Sequence, residues 1–502
     1  MNIAQNIERG RRIFPRKTAL IFEGQCFSYE ELDERANRVA NGLQNLGIKK
    51  GDRVALYLPN IPEFIFAYFG IQKLGAVLVS INVMLKRDEI WYILNDSGSK
   101  AIITTEKLRE NVPDRDLVDL RRVLLTDSPN ATGLKLEELM AISSPIFQCV
   151  EMEPKDPATI VYTSGTTGFP KGAVLSHGNV VSNMHSQRYS CGITPNDKLL
   201  LYLPLFHCFG QNAILNSGLN AGATIILQRR FKLERVVQAI AQEGATMFFG
   251  VPTVFAKLLE ENLDEFNWHS VRYYFSAAAN LPVEIVRRWE EKFGRPIYQG
   301  YGLTETSPCA SYNHPWKYKT GSIGMPIDNV EMKVVDEKGE EVPVGELGEI
   351  IIRGPNVMLG YWNRPEETAK VIKNGWLYTG DIGRMDEDGD FYLVDRLKDM
   401  INVSGFKVYP SEVERIFYQH PAVAEAAVYG VADGIKGEVI YANVRLLAGE
   451  SITEAELMTF CRERMANYKV PHKIELVDSL PKNATGKILK TVLREEAMMR
   501  KQ

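Results

Sequence analysis

Short apolar runs that read as strands alternate with amphipathic runs that read as helices through most of the chain before Gly321. No other feature constrains the fold as strongly. TALIFEG, at 18–24, reads as a strand, and Ser28 with Glu31 in S-Y-E-E makes a capping-box pattern that starts a helix. Leu32, Ala36, Val39, Ala40, Leu43 and Leu46 then fall on one helical face, and Gly47 stops it. RVALYLP reads as a strand, EFIFAYFGIQKLG as a helix and AVLVSIN as a strand. Parallel neighbours need a long crossover, usually a helix, so this order predicts parallel sheets covered by helices.

The pattern recurs through TIVYTSG, a helix after Asn179, ATIILQ, LERVVQAIAQEG, TMFFGVP and VRYYFSA. From Gly321 to Val394 short β runs (EMKVVD, GEIIIRG, DFYLVD) lie between Gly, Pro and Asp turns, which predicts a small antiparallel or barrel-like part. Beyond Asp395, SEVERIFYQH, EAELMTFCRERM and KTVLREEAMM read as helices, with AEAAVYGV, VIYANVRLL and KIELVD as strands. That is a compact α+β unit of roughly one hundred residues. The charged stretch Asp395–Asp399 is the expected boundary. At 502 residues the chain is too long for one core, so at least two domains are expected.

The net charge of −4 argues against nucleic acid as the main partner, since such proteins carry a basic excess. Cys26, Cys149, Cys191, Cys208, Cys309 and Cys461 are scattered without a C-x-x-C pair, so neither a zinc site nor a disulfide framework fits. Reduced thiols of a cytoplasmic protein are expected. His207 and Cys208 are adjacent, but on a strand they would point apart and make no nucleophile pair. No apolar signal segment follows the N-terminal charges, and MMRKQ is no lipidation signal. Phe64–Leu85, broken by Gln72, Lys73 and Asn82, reads as helix, turn and buried strand, not an integral membrane segment.

Five segments carry chemistry. YTSGTTGFPKG, at 162–172, sets Thr163, Ser164, Thr166 and Thr167 beside Gly165, Gly168 and Lys171. Glycines let backbone N–H groups wrap an anion, hydroxyls add donors and lysine adds charge, which suits a polyphosphate; the GK[ST] ending of a Walker A loop is absent. In YGLTETSP, Gly300 and Gly302 make a tight turn, Tyr301 can stack on a base, Thr304 can bond a phosphate and Glu305 can hold Mg²⁺; a plain strand–turn corner explains it equally well. In GWLYTGDIG, Asp381 can accept ribose hydroxyls, although a turn aspartate without a ligand is commoner. DRLKDMINVSGFKVYP and PKNATGKILK complete the set, the latter a basic run of a kind that is usually a solvated face.

In this order and spacing the five segments resemble the adenylate-forming superfamily, which includes acyl-CoA synthetases, peptide-synthetase adenylation domains and beetle luciferases. The resemblance covers nearly the whole chain. It implies an α/β fold: a large N-terminal domain of several subdomains at 1–395, with mostly parallel sheets and a small β-barrel-like part, a hinge at 396–398, and a small mobile α+β domain at 399–502. It places Lys171 near the phosphates and Ala277, Ala278 and Ala279 of SAAAN along the adenine. Tyr301 is placed against the base, Thr304 on the phosphate side and Glu305 at Mg²⁺. Asp381 and Arg396 go to the ribose, and Lys398 to the hinge. Ser404 and Gly405 form the CoA-side loop, and Lys487 contacts the acyl carboxylate and α-phosphate. His207 matches a residue beside the acyl carboxylate, for gating and orientation, though a histidine between Phe206 and Phe209 is also an ordinary core residue.

The activity so implied is an ATP-dependent carboxylic acid–CoA ligase working through acyl-AMP, with ATP, Mg²⁺ and CoA required. LPLFHCFGQN, FFGVP and SPCASY are apolar or small, which suits an alkyl chain and nearly as well an aryl ring. A medium- or long-chain fatty acid is the leading substrate; an aromatic acid, or loading of a separate carrier protein, is the alternative. The small-molecule acid, ATP and CoA are the expected partners, and a homodimer stays open. Luciferase-like and coumarate-ligase-like members carry a lysine four positions after the hinge lysine; Asn402 stands here, closer to bacterial fatty-acid CoA ligases. A non-catalytic scaffold is disfavoured because Lys171, Glu305, Asp381 and Lys487 are all present.

Overall fold

The capping box forms as read. In this computed structural model, which describes residues 1–127, 133–163, 170–263, 268–433 and 437–500, the Ser28 hydroxyl accepts from the Glu31 N–H at 3.2 Å. Glu31 Oε2 accepts in turn from the Ser28 N–H at 2.8 Å. The helix Tyr29–Asn45 buries Leu32, Ala36, Val39, Ala40 and Leu43 and packs on the helix Pro62–Lys73. The apolar run from Phe64 is that second helix followed by the buried strand Val77–Ser80. No helix among the described residues is long and apolar enough to cross a membrane.

Helices clothe two large sheets. One has eight strands, with Val77–Ser80, Arg53–Tyr57, Ser99–Thr105 and Arg122–Thr126 parallel, and Pro157–Thr163 joining Val77–Ser80 in parallel. Its far edge turns antiparallel through Lys171–Ser176 and the two-residue strand Gly360–Tyr361. The other sheet has nine strands, whose parallel centre runs Thr18–Phe22, Thr224–Leu227, Lys198–Leu201, Met247–Gly250, Tyr273–Ser276 and Ile297–Gly302. The β-rich stretch after Gly321 makes an antiparallel sheet from Glu331–Val335, Gly348–Arg353, Ile372–Lys373, Trp376–Met385 and Phe391–Arg396.

The chain then enters a second domain, a five-stranded sheet built on the long hairpin Val423–Asp433 and Gly437–Leu446. The helices Pro410–Tyr418, Glu454–Arg462 and Lys490–Met499 belong to it. Its apolar clusters, one around Phe417, Val428 and Ile440 and another around Tyr429, Val439 and Leu493, are separate from the core of the large domain. One local expectation fails. His207 and Cys208 lie not on a strand but in a turn, His207 N–H donating to Pro204 O at 3.1 Å, ahead of the buried π-helix Phe209–Asn216. Wide i→i+5 turns are rare and have no simple periodicity to read.

Candidate active site

The carboxyl ends of the parallel strands of the nine-stranded sheet converge on one edge, the place where open α/β sheets hold ligands. Gly250 lies beside Ser276, and Ser276 beside Gln299, in register. The SAAAN segment leaves the strand there: Ala277 N–H donates to Gly250 O at 3.3 Å, and Ala277 and Ala279 are half-buried. Ala278 has φ +71°, a left-handed conformation that costs an L-residue about 1–2 kcal/mol. Such a conformation persists only where the surroundings enforce it. At the next strand end, a Cβ on Gly302 would meet Pro308 O at 1.8 Å, so only glycine fits the corner that leads to Thr304 and Glu305.

Tyr301 is buried and its hydroxyl donates to Asp381 Oδ2 at 2.7 Å; Arg396 Nε lies 3.1 Å from Asp381 Oδ1. Asp381 and Arg396 are cross-strand partners in the antiparallel sheet, which aligns the pair. Burial, and then Asp381, raise the Tyr301 phenol well above its ordinary value. Burial alone would lower the Arg396 guanidinium, but Asp381 and Tyr301 hold it above its usual range.

Lys487 reaches this pair from the small domain. Asn483 Oδ1 accepts from the N–H groups of Thr485 and Lys487 at 3.0 and 2.9 Å, an Asx turn that shapes the segment. Gly486 O accepts from Thr253 Oγ1 of the large domain at 3.0 Å. Lys487 is exposed, yet desolvation by the protein around it and then Arg396 lower its ammonium to about 8, against the opposing pull of Asp381 and Asp399. A second bridge between the domains runs from Glu260 to Arg445 at 2.7 Å, and Arg445 also holds Glu425 at 2.8 Å.

Thr163 pairs with Lys171 across the antiparallel strands, its hydroxyl 3.4 Å from Lys171 O. Ser164, Gly165, Thr166, Thr167 and Gly168 lie outside the described residues. Lys171 Nζ pairs with Glu367 and sits 5.5 Å from the Tyr361 ring centroid, within cation–π range. Tyr361 OH donates to Glu305 Oε1 at 2.9 Å.

These groups stand together in a chain that matches two family models: the AMP-binding enzyme model over residues 7–362 and the AMP-binding enzyme C-terminal domain model over 412–487. The chain belongs to the AMP-binding enzymes of the adenylate-forming superfamily. The long-chain-fatty-acid–CoA ligase of Escherichia coli O6:H1 is 38% identical, the match covering 95% of this chain and 91% of that one. A feruloyl-CoA synthase from Amycolatopsis is 36% identical, with 97% of each covered. A crystal structure of an anthranilate CoA ligase in complex with anthranoyl-AMP superposes with a TM-score of 0.92 at 31% identity, over 99% of this chain and 97% of that chain. This AMP-binding enzyme is accordingly an AMP-forming CoA ligase that works through an acyl-adenylate.

In the AMP-binding enzyme, desolvation lowers His207 to about 4, so its ring is neutral near pH 7. Its Nδ1 accepts from Phe209 N–H at 3.2 Å, which leaves the proton on Nε2. The Cys208 thiol is pushed up to about 12 by burial and by Glu305, against a hydrogen bond from Thr304, so it is no nucleophile. Lys398 is exposed on the single turn Leu397–Asp399. Ser404 and Gly405, with φ +50° and +91°, turn the hairpin Ile401–Val403 to Phe406–Val408. Asn402 caps that hairpin, its Oδ1 accepting from Gly405 N–H at 2.9 Å, and a Cβ on Gly405 would meet nothing within 4 Å. Lys487, then, is the group of the small domain that this arrangement brings to the Asp381–Arg396 pair. Sequence reasoning missed Tyr361, Glu367, Thr253 and the Glu260–Arg445 bridge. GYWNRPEE gave a helix-start signal at Pro365 and nothing that pointed to Lys171.

Proposed function

We propose that this enzyme activates a medium- or long-chain fatty acid: the acid carboxylate attacks the ATP α-phosphate, pyrophosphate leaves, and the CoA thiol then displaces AMP from acyl-AMP. The observation that carries the reading of the first step is the docking of the Lys487 segment on the large domain, where Gly486 O accepts from Thr253 Oγ1 at 3.0 Å and Lys487 feels the charges of Arg396 and Asp381. A cation held there offsets charge where carboxylate and α-phosphate meet. We assign Lys171 and Thr304 to the phosphates, Ala277–Ala279 and Tyr301 to the base, and Asp381 with Arg396 to the ribose. Neutral His207 orients the acyl carboxylate, its Nε2–H being the donor left free by the Phe209 bond. Residues 1–395 form the adenylating domain and 396–398 the hinge about which 399–502 turns between steps; the separate cores of the two domains support that division.

Glu305 fits Mg²⁺. One carboxylate oxygen is held by Tyr361, and no group of three His, Cys, Asp or Glu among the described residues forms an all-protein cage. That suits an ion which keeps waters and takes substrate phosphates. When bound, Mg²⁺ supplies charge neutralisation to the polyphosphate.

The alkyl reading is supported by the lining segments 203–212, 248–252 and 307–312, which contain no Lys or Arg. An aryl acid is the second reading, favoured by the ring cluster Phe209, Phe249, Phe275 and Tyr312, with centroids 5.1–6.1 Å apart in its contacting pairs. Offering ATP, Mg²⁺, CoA and a graded panel of alkyl and aryl acids, and reading acyl-CoA by mass spectrometry, tests both. A peak at one alkyl length supports the first reading, and a preference for cinnamic- or benzoic-type acids replaces it with the second. Acyl-AMP without thioester would move the acceptor to a carrier protein. The unpaired cysteines agree with a cytoplasmic setting.

A further inference from the structure

The segment 358–367 is tied to both sides of the phosphate site. Met358 N–H donates to Glu305 O at 2.8 Å, Leu359 N–H to Val174 O at 2.9 Å, and Trp362 N–H to Gly172 O at 2.7 Å. Farther along, Trp362 Nε1 donates to Asp96 O at 3.0 Å and Arg364 pairs with the Asp96 carboxylate at 2.8 Å; the same carboxylate accepts from Tyr162 at 2.7 Å, just before the glycine-rich loop. A segment so anchored presents the helix Pro365–Val371, and Glu367 in its first turn, at a set position beside Lys171.

A solvent-exposed ion pair contributes little. This one is different in setting: the side chains of Lys171 and Glu367 retain 17% and 23% of their exposure, and the lysine also lies over the Tyr361 ring. Glu367 is further tied to Lys370, so it does not follow the lysine when the latter moves. Lys171 is the cation of the phosphate segment, and its present partner is a carboxylate with chemistry that competes with a phosphate oxygen.

We infer that Glu367 is the resident counter-ion of Lys171, a positioning residue that holds the lysine until nucleotide phosphates displace it and takes it back when pyrophosphate leaves. This rests on the assignment of Lys171 to the phosphates. The exchange costs some ATP affinity and hastens pyrophosphate release, because the lysine is never left without a partner.

The test is Glu367→Gln in the full chain, with equilibrium ATP binding, pyrophosphate inhibition of adenylation, and CoA transfer to supplied acyl-AMP as readouts. ATP binding is expected to tighten about 3- to 10-fold, the scale of one partly screened ion pair. Inhibition by pyrophosphate should strengthen by a similar factor, with transfer from acyl-AMP unchanged. Glu367→Asp, which keeps the charge, should return both toward the parent values. In a Lys171→Ala background, Glu367→Gln should have no further effect. Unchanged or weakened ATP binding in Glu367→Gln, or an effect that persists without Lys171, overturns the inference. If Lys171→Ala itself leaves ATP binding intact, the phosphate assignment fails first and takes the inference with it.

Discussion

If Lys487 serves adenylation and not CoA transfer, as proposed, replacing it by alanine should separate the two half-reactions. Its ammonium feels the charges of Arg396, Asp381 and Asp399, and its segment is fixed by the Asn483 turn and by the 3.0 Å bond from Thr253 to Gly486 O. Loss of one preorganised electrostatic contact to a developing charge costs about 2.7–4 kcal/mol, or roughly 10²- to 10³-fold in rate. Adenylation, followed by ATP–pyrophosphate exchange, should fall by that factor. Single-turnover CoA transfer to supplied acyl-AMP should stay within about twofold, since the bond changes are then at the acyl carbon, AMP leaves, and no polyphosphate takes part. Thr253→Val gives a graded companion. It keeps the shape and removes only the docking bond, a net loss of about 0.5–1.5 kcal/mol, so adenylation should drop roughly 2- to 10-fold with transfer again spared. Equal losses in both half-reactions for Lys487→Ala, or a larger loss for Thr253→Val than for Lys487→Ala, would refute the reasoning.

Lys487 is protonated below about 8 and neutral above it. The free enzyme's kcat/KM for ATP in adenylation should therefore decline as pH rises through that value, well before an ordinary lysine titrates, while acyl-AMP transfer shows no such step. Glu260→Gln removes the large-domain partner of Arg445, a pair with side chains 23% and 20% exposed; adenylation should fall less than about fivefold, and 1 M salt should erase most of the difference from the parent. Gly302→Ala drives a Cβ into Pro308 O, and denaturant melts should show a loss of about 1–3 kcal/mol with weakened ATP binding.

Much of the site was legible because its parts are local. The Ser28 and Glu31 pairing is decided within one helical turn, and the strand–helix alternation shows as periodicity over a few residues. The glycine corner before Thr304 also announces itself in composition, whereas Asp381, expected on a tight turn, lies within the strand Trp376–Met385 opposite Arg396, a pairing that depends on a distant strand. Where side chains or backbone turns could not be read from neighbours, the reading failed. The His207 segment lacks the alternation of a strand and is followed by a π-helix whose wide turns leave no simple repeat.

The sequence by itself determined the domain order, the parallel sheets and the residue types at each chemical segment, since these depend on short-range pattern and on the identity of single side chains. Only the tertiary structure decided which of those residues meet. Lys171 and Glu367 are separated by 196 positions, Thr253 and Gly486 by 233, and Arg445 and Glu260 by 185. Their pairing is set by strand register, by the path of the segment 358–367 and by the docking of one domain on the other. An ion pair between distant positions needs only one charge of each sign, and a chain with 59 basic and 63 acidic residues offers thousands of such combinations. Chain geometry and burial select among them, and neither is written in local pattern.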